Sequence, residues 1–170
     1  TLCRKDKLDD DLPWLLYLQG GPGFGAPRPT ADGGWIKRAL QEFRVLLLDQ
    51  RGTGHSTPIS ADALAGMTPG EQADYLGHFR ADSIVRDAEC IREVLSPGRP
   101  WSLLGQSFGG FCSLTYLSLF PRSLHEVYLT GGVAPIARSA DEVYRATYQR
   151  VADKNRASRR GWPRCRCCLR

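Results

Sequence analysis

A chain of 170 residues is long enough for one ordinary domain that buries about 70% of its unfolded surface, and its apolar runs fall short of the roughly 20 residues of a membrane-spanning helix. The formal net charge of +5 is local, because the last thirteen residues, SRRGWPRCRCCLR, hold five arginines and no acid; without them 18 basic residues face 18 acidic ones. That tail also holds three of the six cysteines (Cys165, Cys167, Cys168), with neither the CxxC spacing of a zinc site nor the lysine-rich repeats of a nucleic-acid arm, so neither metal nor nucleic acid is expected as a partner.

The first element is WLLYL (residues 14–18), a continuous apolar run that predicts a strand covered on both faces. It leads directly into QGGPGF. WIKRALQEF (35–43) places Trp35, Ile36, Ala39, Leu40 and Phe43 on one helical face. A second strand, VLLLD (45–49), opens into QRGTGHS. A polar connection follows over 59–78, with a short helix over 69–76. In RADSIVRDAECIREVLS the apolar residues Ile84, Ala88, Ile91 and Leu95 recur at helical spacing, with Asp82 as the expected cap and Pro97-Gly98 as the stop. A third strand, WSLLG (101–105), runs into a helix expected from Ser107 to about Leu119 and ended by Pro121. A fourth strand, VYLTG (127–131), precedes a last helix over 140–154, and the periodic pattern stops after Ala157. Strands alternating with helices predict an α/β fold with right-handed crossovers and a central parallel sheet. Cys3, Cys90 and Cys112 are scattered through these elements as reduced thiols rather than a disulfide framework.

Three stretches can carry chemistry. Gly105-Gln106-Ser107-Phe108-Gly109 matches GxSxG at a strand-to-helix turn, where a serine sits on a strained elbow with the helix N-terminus behind it. Acyl transfer needs two backbone N–H donors for the oxyanion: one from the residue after the nucleophile, Phe108, and one from a loop after an upstream strand. The glycine-rich loop with Gly20, Gly21 and Gly23 suits the second; Gly21 is the expected donor and Gly20 its nearest rival. The loop is not a phosphate cradle, for it lacks the lysine of GxxxxGK[ST]. In VLLLDQRGTGHS, Asp49 and Arg51 are expected to tie the loop down as an ion pair rather than to act in catalysis.

Together, GGPG, DQRGTGHS and GQSFGG, in this order and spacing, resemble the proline iminopeptidases (prolyl aminopeptidases), serine peptidases of the α/β-hydrolase fold. LPWLLYLQGGPGFGAPRP and FRADSIVRDAE look like the larger bacterial form of that family. The resemblance covers about residues 12–157. It implies a peptidase that releases N-terminal proline from peptides, located in the cytoplasm, off the membrane, with no metal or organic cofactor. It also implies a partial hydrolase core over residues 1–135, the start of a helical cap over 136–157, and an Arg/Cys-rich tail over 158–170 outside the fold. The early strands, most of the cap and the last strands would then lie outside this chain. Family members bind the substrate's amino group through cap carboxylates; Asp141 and Glu142 lie where the cap would begin, and neither is matched to that role. An esterase or lipase of the same fold, or a non-catalytic relative that keeps the elbow as structure, shares the GxSxG signal.

The chain's own residues do not complete a triad. In this fold the order is serine, acid, histidine. Of the three histidines only His125 follows Ser107, and no suitable acid lies between them. His125 also precedes the fourth strand, about 17 Å from its far end. His55 is placed on the correct edge of the sheet but has no evident orienting acid, and His78 sits in the polar connection. Ser107 is thus expected to be a nucleophile without a base.

Overall fold

Apolar strands separated by amphipathic helices give a parallel sheet in the computed structural model, which describes residues 1–8, 10–29, 33–131 and 138–161. Strands β1 (Trp14–Leu18), β2 (Arg44–Leu47), β3 (Trp101–Gln106) and β4 (Leu124–Thr130) lie in the order β2-β1-β3-β4, all parallel. Among the described residues five α-helices accompany them: α1 (Gly34–Ala39), α2 (Pro69–Gly77), α3 (Ala81–Leu95), α4 (Phe108–Leu119) and α5 (Ala140–Gly161).

The register explains the continuous apolar runs. Leu16 of β1 stands between Leu46 of β2 and Leu103 of β3, and alternate residues of each strand face opposite sides. Leu16, Leu18, Leu46 and Leu103 pack with Ala81, Ile84, Val85 and Ala88 of α3 and Cys112 and Tyr116 of α4. Leu15 and Val45 pack on the other face with Ile36, Ala39 and Leu40. Both faces of the central strands are therefore buried, as βαβ crossovers require. The α3–α4 side also encloses a polar cluster. Arg92, only 4% exposed, donates to both carboxylate oxygens of Glu89 at 3.0 and 2.9 Å and to the Arg99 carbonyl at 2.8 Å. Glu89 in turn accepts the hydroxyls of Tyr116 (2.7 Å) and Ser123 (2.8 Å).

Several boundaries differ from expectation for identifiable reasons. Helix α1 stops at Ala39 and unwinds through a turn that Phe43 N–H closes onto the Ala39 carbonyl at 2.8 Å. Arg80, not Asp82, is the N-cap of α3; its backbone is extended and makes no side-chain cap bond. Asp82 instead lies in the first turn, where its charge suits the helix dipole. Helix α2 begins with a capping box absent from the sequence reading, in which Thr68 and Glu71 satisfy each other's backbone N–H. Helix α5 runs seven residues beyond its expected end at Lys154, because arginine and alanine favour helix and no proline intervenes before Gly161.

The chain divides into two compact units, Thr1–Val133 and Ala134–Arg170. The first contains the sheet; the second contains α5. The expected boundary at residue 135 and the tail from residue 162 onward fall outside the described residues. Among the described residues no helix is long and apolar enough to cross a membrane.

Candidate active site

Three loops leave the C-terminal edge of the sheet together, because β1, β2 and β3 are neighbours pointing the same way. Each expected stretch is one of these loops.

Ser107 sits between β3 and α4 with φ +53° and ψ −114°, one of only two described non-glycine residues with positive φ. Such a backbone is strained by roughly 1–3 kcal/mol and persists where its surroundings hold it. Here the Ser107 N–H donates to the Thr130 carbonyl at the end of β4 (2.8 Å), and the Ser107 carbonyl accepts the Gly110 N–H (2.9 Å). The side chain is half-buried and, among the described residues, makes no hydrogen bond.

The two flanking glycines are required sterically. A Cβ on Gly105 would lie 2.4 Å from both the Gly109 carbonyl oxygen and Ser113 Oγ. A Cβ on Gly109 would lie 1.9 Å from the Leu18 carbonyl oxygen. Strand β3, the elbow and the end of β1 therefore meet backbone to backbone. Cys112, one turn into α4, is no rival nucleophile: burial pushes its thiol up to about 12.

The loop after β1 touches the elbow at Gly20. Gly20 is buried, and a Cβ there would stand 3.0 Å from Ser107 Cβ and 2.3 Å from Gln106 Oε1. Gly21 and Gly23 are exposed and have positive φ values of +125° and +108°. The peptide between Gly21 and Pro22 is cis. Phe108 opens α4, so its N–H is among the donors of the first turn.

The third loop corrects the expected ion pair. Asp49 and Arg51 do not pair with each other. Asp49 is 8% exposed and accepts the backbone N–H of Ala26 (2.8 Å) and His55 (3.0 Å) and the Arg28 guanidinium (2.6 Å). Burial alone would raise its pKa, but these donors outweigh it and hold the carboxyl below its ordinary value. Arg51 turns away to make a bidentate pair with Asp87 of α3, 2.6 Å at Nε, and donates to the His78 carbonyl at 2.8 Å. Both residues hold backbone in place, through different partners. The cleft of about 620 Å³ that they line with Phe79, Ile84 and Cys90 does not include Ser107.

Two contributors escaped the sequence reading. Gln50, 3% exposed, donates Nε2 to the Gln19 carbonyl at 3.0 Å, while its own carbonyl accepts Thr53 N–H and Oγ1 at 3.0 and 2.8 Å. Gly131, φ +83°, follows β4 so closely against the elbow that a Cβ there would touch Ser107 N at 3.4 Å. The Gly131-Gly132 doublet after an apolar strand was the available signal for the second; an uncharged amide inside DQRG gave none for the first.

His125, expected before the fourth strand, lies inside it. His125 is in β4 next to Leu124, which pairs with Trp101 at the opposite end of β3 from Ser107; its side chain is 68% exposed. His55 and His78 are exposed, and no hydrogen bond joins any of the three to Ser107. Glu142 forms a capping box with Ser139 at the start of α5 and an ion pair with Arg138 at 3.2 Å.

The alpha/beta hydrolase fold family's sequence pattern matches residues 13–166. The chain belongs to the α/β-hydrolase fold family. Among characterised hydrolases, a proline iminopeptidase of Aeromonas sobria is 88% identical over 157 residues, which cover 92% of this chain and 37% of that protein. A proline iminopeptidase of Aspergillus aculeatus is 43% identical over 162 residues, covering 91% of this chain and 36% of the relative. A solved structure, that of a proline iminopeptidase-related protein from Thermus thermophilus, matches at 29% identity and a TM-score of 0.48, over 70% of this chain and 36% of that one. The chain thus spans a little over a third of the length of the curated relatives it matches.

Proposed function

We propose that the chain is the nucleophile-bearing part of a proline iminopeptidase, a cytoplasmic serine peptidase that removes proline from the N-terminus of peptides. The observation that carries the reading is Ser107 at φ +53° between two glycines that admit no side chain, with the Gly20 loop packed against it. The 88% identity to the Aeromonas sobria enzyme supports the substrate class.

In this reading Ser107 Oγ attacks the carbonyl carbon of the N-terminal proline residue. The backbone N–H groups of Phe108 and Gly21 receive the oxyanion, with Gly20 the rival to Gly21. A general base takes the Oγ proton and returns it to the amine of the departing peptide, leaving a prolyl ester that water hydrolyses. That base and its orienting acid come from outside these 170 residues, because none of His55, His78 and His125 is bonded to Ser107. By the family resemblance residues 136–157 correspond to the start of the cap, whose helix α5 runs on to Gly161. No metal or cofactor has a role.

The test is release of proline from a prolyl arylamide. The 170-residue chain gives none above background. A longer form that adds a downstream aspartate and histidine is active, and Ser107→Ala abolishes that activity. Turnover by the 170-residue chain that Ser107→Ala stops would show that the base lies within it, and His55→Ala would then be the next substitution to make.

A further inference from the structure

We propose that Gln50 is a positioning residue for the oxyanion loop: its buried side-chain amide fixes the peptide plane that presents the Gly20 N–H beside Ser107, and so anchors the segment that carries the Gly21 N–H. The proposal rests on the hydrolase reading above and adds a residue to it.

The Gln19–Gly20 peptide is planar, so its carbonyl and its N–H point in opposite directions and cannot be oriented separately. Gln50 Nε2 holds the Gln19 carbonyl at 3.0 Å. The same oxygen lies 3.0 Å from where a Cβ on Gly109 would stand, so it is wedged between the amide and the start of α4. Fixing that oxygen fixes the Gly20 N–H; the Gly21 N–H lies in the next peptide, turned by the backbone dihedrals of Gly20, so Gln50 anchors the near end of that segment without setting its direction. Such a constraint matters here because glycine restricts its own backbone less than any other residue. The four residues Gly20 to Gly23 include three glycines, and left to themselves they sample many orientations.

Gln50 is itself held from two sides. Its backbone carbonyl accepts two bonds from Thr53, and the preceding residue, Asp49, is tied to Ala26 and His55. Asp49 therefore secures the far end of the glycine loop, at Ala26, while Gln50 secures its near end, at Gln19. Adjacent side chains on one strand end grip both ends of the loop that packs on the nucleophile.

The experiment uses an alkyl fluorophosphonate and the 170-residue chain, followed by intact mass. In the labelling step Ser107 Oγ bonds to phosphorus, the P–F bond breaks, fluoride leaves, and the Oγ proton passes to buffer. The phosphoryl oxygen takes the place of the oxyanion, so the rate reads the donors without needing a peptide. Gln50→Met keeps the length and removes the donor; Gln50→Glu keeps the shape and removes it at neutral pH. Both should lower the maximal labelling rate roughly 10- to 100-fold per folded molecule, at unchanged half-saturating probe concentration, a misdirected donor costing less than the roughly 100- to 1,000-fold of a lost one. Ser96→Ala, which removes the acceptor of the Trp101 indole (2.6 Å) away from the loop, should label at the parent rate. Parent-like rates in both Gln50 variants overturn the proposal, as does an equal loss in Ser96→Ala. Unfolding of both Gln50 variants while Ser96→Ala stays folded also overturns it, since Gln50 would then determine the fold rather than the loop. Labelling that survives Ser107→Ala would instead remove the hydrolase reading itself.

Discussion

Ser107 occupies its strained backbone because two glycines let three chain segments meet around it, and the two are not interchangeable with other small residues. Gly109→Ala places a methyl 1.9 Å from the Leu18 carbonyl oxygen, which belongs to a central strand and cannot move. We expect it to destabilise the chain by about 3 kcal/mol or more, at or above the top of the usual overpacking range. Gly70→Ala is the counter-case: the position lies in α2, meets nothing within 4 Å and has no positive φ, so the substitution should stabilise by about 0.5–1 kcal/mol. Urea unfolding of both variants checks the pair, and equal effects would contradict the packing argument. Asp49 and Glu89 supply a second test at this scale. Each is partly desolvated yet held below its ordinary carboxylate value, Asp49 by the His55 and Ala26 amides and Arg28, and Glu89 by Arg92, Tyr116 and Ser123. A carboxyl with a depressed folded-state pKa adds stability above its unfolded value of about 4, and that stability is lost as pH falls through the folded value. The thermal midpoint should therefore fall as pH is lowered from about 5 toward 3. Glu89→Gln should lower the midpoint at pH 7 and flatten that acid limb; an unchanged slope would show that Glu89 does not contribute to it.

At the scale of elements, β1 to β3 were legible because burial on both faces writes continuous apolar runs, and WLLYL matches β1 residue for residue. Strand β4 begins three residues before its expected start, at Leu124, because β4 follows the register of β3 from Trp101 onward and its exposed outer residues carry no apolar signature. Helix interiors were legible from their period, whereas caps were not. The choice of Asp82 over Arg80 followed side-chain chemistry, but the chain turns into α3 one residue after Phe79 without a side-chain cap. At the site, the three loops were legible as motifs because glycine marks close backbone approach. The partners of Asp49 and Arg51 were not, because Arg28 and Asp87 are 21 and 36 residues distant and only the fold brings them near. Gln50 and Gly131 were missed for the same reason: their importance lies in what they touch. Sheet order was not legible, because an apolar run does not say which strand it pairs with; the structure places β2 and β4 outermost.

The two outer strands of the whole sheet are not equivalent. Strand β2 is met by an antiparallel bridge, in which Leu2 and Val45 exchange N–H···O bonds of 2.7 and 2.9 Å. Among the described residues strand β4 pairs only with β3, and it exposes Tyr128 and Leu129 at 45% and 41%. An open, apolar edge recruits other chains, so the chain should run as an oligomer or aggregate on size exclusion; a clean 18.9 kDa monomer would contradict this. The central claim about the molecule, however, is that it carries a nucleophile in place and lacks a base. Fluorophosphonate labelling of Ser107 at pH 7 with increasing imidazole tests it most directly, because a small diffusible base can stand in for the absent side chain. The account predicts slow labelling that depends on Ser107 and rises in proportion to imidazole. Rapid labelling without imidazole, insensitive to its addition, would contradict the account and place a working base within these 170 residues.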